Sequence, residues 1–133
     1  MNSTYWLNKV MDTVYTSSSN QFWVGLSSSE PLADGTGFTE PVGGNYKRVM
    51  IEGFTEPVDG MVKNVSDIMF AQSTATWFES TAKATYWLIF DSANGGNLLS
   101  SGLLDEPKTI ESNTTITITK ESLSITLSDY ISA

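Results

Sequence analysis

The chain has 133 residues, seven basic and fifteen acidic, and a formal charge of −8 at neutral pH. It contains neither histidine nor cysteine, which excludes a Ser/His/Asp or Cys/His triad, a His-ligated metal centre, a thiolate zinc site and any disulfide. The acidic balance, with no Lys/Arg cluster, argues against nucleic acid and against an anionic membrane surface, because both rely on neutralising phosphate.

One domain spanning 1–133 is expected. Area scaling gives about 6,900 Å² for the folded chain against about 21,000 Å² unfolded, enough burial for a core. No apolar run approaches the roughly 20 residues of a membrane span. The first fifteen residues lack a basic segment ahead of an uninterrupted apolar stretch, so an unprocessed chain is expected. Charged residues are 17% of the chain, below the roughly 25% of an average soluble protein, and serine and threonine fill the gap. Threonine and aromatics suit half-buried β-surface.

Leu7, Val10, Met11 and Val14 recur at helical spacing with Trp6 beside them, and Asn2 or Ser3 can cap the first turn. This predicts a helix within residues 1–16, ended by Ser17-Ser18-Ser19-Asn20. Gln21–Ser27 reads as a strand, with Phe22, Val24 and Leu26 on one face. The longest irregular stretch follows, Ser28 to Asn45, and loops of that length are usually functional or held by a partner. Further strands are expected over Tyr46–Ile51, Asp67–Ala71, Ala75–Phe78 and Ala84–Asp91. The last is apolar on both faces and therefore central. Asn94-Gly95-Gly96 supplies a tight hairpin to a strand over Asn97–Leu104. Ile116 and Ile118 alternate with threonines, and Leu123, Ile125 and Leu127 with Ser124 and Thr126, giving two strands with one wet face. The sum is a mainly β chain: one antiparallel, jelly-roll-like β-sandwich over 21–128 with one N-terminal α-helix.

Residues 37–44, Gly-Phe-Thr-Glu-Pro-Val-Gly-Gly, recur at 53–60 with only Gly43 changed to Asp59. Two copies are too few for a solenoid, and similar turns at one end of a sheet are favoured over a paired grip on a ligand. The glycines of 34–44 lack the Lys-Ser/Thr and the following helix of a P-loop. The acidic residues between Asp34 and Asp67 do not have EF-hand spacing, which leaves a structural calcium site open. Carboxylate pairs for glycoside hydrolysis cannot be read from spacing. The Asn-x-Ser/Thr triplets at Asn2, Asn64 and Asn113 occur at chance frequency. Trp23 and Trp87 are expected in the core, and one of Trp6 and Trp77 at a partly exposed contact surface.

Co-linear segments carry a resemblance. Val24-Gly25-Leu26-Ser27, Pro31, Asp34-Gly35-Thr36-Gly37, Thr39-Glu40-Pro41, Gly43-Gly44, Tyr46 and Arg48 come first. Lys63-Asn64, Ile68, Phe70, Trp77, the stretch Tyr86–Leu104 with Asn94-Gly95-Gly96-Asn97-Leu98-Leu99, Pro107–Thr109 and Leu123–Leu127 follow in the same order. From Phe22 to Leu127 the chain resembles small phage virion proteins, called tail fibre or head decoration proteins.

The resemblance implies a virion component made in the host cytoplasm. It implies no enzymatic activity, no cofactor and no metal. The implied partners are other virion proteins, of capsid or tail, and further copies of the chain, with no nucleic acid and no membrane. Subunit contacts are expected from the long loop (Leu32, Phe38, Glu40, Pro41), the repeated turn (Glu56, Pro57) and the Trp6 side of the helix, around a threefold or sixfold axis, with Glu40 and Glu56 finding Lys47, Arg48 or a partner's backbone amides and Phe38 filling a neighbour's apolar pocket. The alternative is a carbohydrate-binding host-recognition module of a tail, in which Trp77 stacks on a cell-surface glycan.

Overall fold

A computed structural model describes residues 2–17, 20–79 and 81–127. Ser18, Ser19 and Ser128, which the sequence places in the helix-ending run and at the end of the sandwich, lie outside the described residues. The chain is mainly β, with one short helix and antiparallel sheets. Helix α1 (Thr4–Tyr15) precedes eight strands among the described residues: β1 (Trp23–Ser27), β2 (Val49–Met50), β3 (Met61–Lys63), β4 (Ile68–Met69), β5 (Ala84–Phe90), β6 (Leu98–Lys108), β7 (Thr117–Ile118) and β8 (Ser124–Thr126). They pair in the orders β2-β1-β5-β6, β3-β8 and β4-β7.

The chain groups into two compact units, Met1–Asn20 with Ile51–Ile68 and Ile118–Ala133, and Gln21–Met50 with Met69–Thr117. In the first, Ser3 caps α1 by accepting from the Trp6 amide at 3.2 Å, a cap that contributes about 0.5–2 kcal/mol. The helix buries Leu7 and Met11, and Tyr15 meets Phe54 edge-on at 5.1 Å. Asn64 is fully buried and fully bonded. Its amide donates to the carbonyls of Ser66 and Thr119 at 2.8 and 3.0 Å, and its Oδ1 accepts from the Leu123 amide at 3.0 Å.

In the second unit β5 is central, as its two apolar faces require. β1 pairs with it from Trp23↔Phe90 to Ser27↔Tyr86, and β6 lies on its other side. Val24, Leu26, Leu88 and Ile89 are fully buried there, each contributing about 1.5–3 kcal/mol of burial. Ser73, also fully buried, gathers the 111–114 turn: it donates to the Glu111 and Thr114 carbonyls and accepts from the Thr114 amide.

One expectation needs correction, and one strand goes unforeseen. Ala75–Phe78 is not a strand: the segment bends, with both Trp77 and Phe78 buried, and the Trp77 indole bonded to the Gly44 carbonyl. β3 is a strand the periodicity does not reveal, because three residues are too short for a pattern. It is set by the turn Val58–Met61, whose ends exchange backbone hydrogen bonds at 3.0 and 2.9 Å.

Candidate functional site

The two copies of the repeated octapeptide fall in different units and make different turns. In the second copy Asp59 and Gly60 take positive φ (53° and 76°) and close a reversal from Val58 to Met61. In the first copy the reversal lies one position later. Gly44 and Asn45 have φ 61° and 68°, and the Tyr46 amide donates to the Gly43 carbonyl at 3.1 Å. The shift follows from what comes next, because Tyr46 and Arg48 are both drawn inward to Glu40.

Glu40, Tyr46 and Arg48 form the most developed polar cluster in the second unit. Arg48 Nη2 and Nε donate to the two Glu40 oxygens at 2.7 and 3.1 Å, and Nη1 donates to the carbonyls of Ser92 and Gly95 at 3.0 and 2.8 Å. The guanidinium carbon lies 3.4 Å from the centroid of the Phe90 ring, a cation–π contact. The Tyr46 hydroxyl donates to Glu40 Oε2 at 2.5 Å and accepts from the Leu26 amide at 3.1 Å. β2 pairs only with Trp23 and Val24, so the phenol takes over where that ladder stops. Burial first, then the hydrogen bond to Glu40 and its charge, push the Tyr46 phenol far above its ordinary value. Gly25 makes room for this: a Cβ there would sit 2.7 Å from the Tyr46 hydroxyl and 2.9 Å from Glu40 Oε2.

Above the cluster opens a cleft of 610 Å³ bordered by Pro41, Lys47, Asn94 and Gly95, and a second of 560 Å³ runs past Thr39, Trp77 and Phe78. Val42 lines both and is 97% exposed, an apolar knob between two grooves. Hydrogen bonds within the 28–45 loop hold it. Ser27 Oγ accepts from the amides of Ser29 and Thr39, and Leu32 and Thr36 close a turn at 2.7 Å. Asp34 accepts from the Thr36 hydroxyl and amide, which holds its carboxyl below the usual range. Asp91 is lowered likewise, by the Asn97 amide and side chain across the 92–96 hairpin.

Of the residues expected at contacts, Leu32 (60% exposed), Phe38, Glu40 and Pro41 belong to the second unit, and Trp6 (51% exposed), Glu56 and Pro57 to the first. Glu56 is exposed, Phe38, Glu40 and Pro57 are half-buried, and Pro41 is buried. Phe38 rests edge-on against Phe90 at 5.4 Å. Trp77 is only 4% exposed, with its indole donating to the Gly44 carbonyl at 2.7 Å and its ring against Tyr46 and Phe70. Neither face of it is open to a stacked sugar. Sequence reasoning names Tyr46 only as a matching position, whereas Arg48 is among the partners expected for Glu40 and is the one found, at 2.7 Å. Their i, i+2 spacing would put both side chains on one face of the strand expected over Tyr46–Ile51, although the strand itself begins only at Val49.

Chemically the cluster is a pin: carboxylate, phenol and guanidinium satisfy one another and tie the 40–48 loop to β1 and to the 92–95 hairpin. Among the described residues no group of three acidic side chains is arranged to hold a metal ion, and no helix is long and apolar enough to cross a membrane. A search of curated proteins gives no significant match. The family model described as podophage GP4 fiber I protein gp80 matches residues 1–126. The chain therefore belongs to that family of phage virion fibre proteins.

Proposed function

We propose that the chain is a non-enzymatic structural component of a phage tail fibre, present in the virion and acting through protein–protein contacts in a symmetric homo-oligomeric assembly. The family match over residues 1–126 carries this reading, and its fibre description favours the tail over capsid decoration. The pin supports the absence of catalysis. A catalytic carboxylate or phenol needs a free proton or lone pair directed at a substrate, whereas Glu40, Tyr46 and Arg48 direct theirs at one another. A sandwich arrangement of the sheets, within one domain, belongs to the same reading and is supported by the burial of β5 on both faces.

Contacts with neighbouring subunits are assigned to Leu32 and Phe38 in the long loop, to Glu40 beside the exposed Val42 knob, to Glu56 and Pro57, and to Trp6; Pro41 is buried and is left out. Exposed apolar residues on a structured loop, such as Leu32 and Val42, support this assignment, since they gain from desolvation without the cost of ordering. Mass spectrometry of gradient-purified particles tests the proposal. The chain is expected among the abundant virion proteins, and particles that lack it would overturn the reading.

A further inference from the structure

β6 is the longest strand and stands at a sheet edge, whereas the opposite edge, β2, has two residues. An edge strand leaves a row of N–H and C=O groups open, and proteins guard such edges with charge, proline or bulges. β6 carries charge and proline only in its second half, and its pairing with β5 slips twice, once in that half and once at Leu99, between Ile89↔Ser100 and Phe90↔Leu98. Asp105, Glu106 and Pro107 lie where its register with β5 slips, between the pairs Ala84↔Lys108 and Tyr86↔Leu103. Leu98 to Leu104 holds neither a charge nor a proline.

That run without charge or proline, Leu98-Leu99-Ser100-Ser101-Gly102-Leu103-Leu104, reads almost the same in both directions about Ser101. Leu98 mirrors Leu104, Leu99 mirrors Leu103, and small Ser100 mirrors small Gly102. Two antiparallel strands related by a twofold axis perpendicular to the sheet place residues equidistant from the axis opposite each other on one face. With the axis at Ser101, Leu99 of each copy meets Leu103 of the other. These two leucines are 44% and 68% exposed. A groove of 310 Å³ between β6 and the 31–35 loop, lined by Pro31, Leu32, Leu98 and Leu99, lies where the second copy's Leu103 arrives.

We propose that β6 is a homodimerisation edge: two copies of the chain join antiparallel about Ser101 and merge their four-stranded sheets into one of eight. The argument rests on the strand itself and is independent of the virion reading. Each copy carries −8, so the dimer strengthens with ionic strength as repulsion is screened.

The chain has no cysteine, so Ser101→Cys introduces a single thiol on the axis. Opposed residues of an antiparallel pair have Cα atoms about 4.5–5.5 Å apart, within disulfide reach. Under mild oxidation S101C is expected to become a disulfide-linked dimer, while the control Ser112→Cys, on an exposed turn, forms no such cross-link. By sedimentation the unsubstituted chain is expected to dimerise with rising concentration, and Leu103→Lys to weaken the dimer about tenfold or more with an unchanged circular dichroism spectrum. A chain monomeric at every concentration, S101C no faster to cross-link than S112C, or L103K dimerising as well as the parent would each overturn the proposal.

Discussion

The Tyr46 hydroxyl joins a carboxylate to a backbone amide, and its chemistry gives a pH signature. Its folded-state pKa lies far above the ordinary phenol value, so the folded chain holds this proton more tightly than the unfolded chain. Below pH about 10 the phenol is protonated in both states and its contribution is fully present. Above that, the unfolded state ionises first and stability falls, by up to about 1.4 kcal/mol per pH unit for this one group. Tyr15, raised by burial, adds in the same direction. Urea unfolding between about pH 8 and pH 11 should show this alkaline decline. Tyr46→Phe should flatten it while lowering the neutral-pH plateau by about 1–2 kcal/mol, because the Leu26 amide and Glu40 lose a partner. An alkaline limb that the substitution leaves unchanged would remove Tyr46 from this role. Asn64 is the counterpart in the other unit. Asn64→Ala strands two carbonyls and an amide that its side chain serves, and a loss of about 2–4 kcal/mol in chemical denaturation is expected. A loss within about 0.5 kcal/mol would show that the site relaxes around the change.

At the scale of elements, β1 can approach the pin only because position 25 is glycine. Gly25→Ala places a methyl against the Tyr46 hydroxyl and Glu40 Oε2, atoms fixed by their own bonds. A destabilisation of about 1–3 kcal/mol is expected. Gly53→Ala is the control, since a Cβ there meets only Val65 Cγ2 at 3.5 Å, and its melting temperature should stay close to that of the parent. Equal melting temperatures for the two would contradict the close-approach argument. These elements also show what the sequence makes legible. α1, β1, β5, the 94–96 hairpin and β6 carry long apolar periodicities, and the structure has them close to where the pattern puts them. β7 and β8 survive as two and three residues of longer alternating runs. Ala75–Phe78 was misread because adjacent aromatics mimic a strand, while the bond from the Trp77 indole to Gly44 that bends the segment spans 33 positions. Part of the pin is legible, since Arg48 is one of the partners expected for Glu40; its bonds to the carbonyls of Ser92 and Gly95 span more than 40 positions, and periodicity does not see that far. The turn register of the two octapeptides was equally hidden, since it depends on Tyr46 rather than on the repeat itself.

For the molecule as a whole, neither compact unit is a continuous piece of chain. One draws on three segments and the other on two, so the polypeptide passes between them four times. Independent domains are usually continuous and separated by linkers. Interleaving of this kind favours the single-domain reading, and one cooperative transition is expected, with calorimetric and van't Hoff enthalpies in agreement; two separated transitions would contradict it. The central claim concerns the particle. Electron cryomicroscopy of the intact virion tests it most directly, by fitting the four-stranded sheet and helix α1 into the map. The account predicts that they fit repeated density in the tail fibres, with the Val42 knob and Trp6 against neighbouring protein. Fibre density fully explained by other chains, with no position for this fold anywhere on the particle, would contradict it.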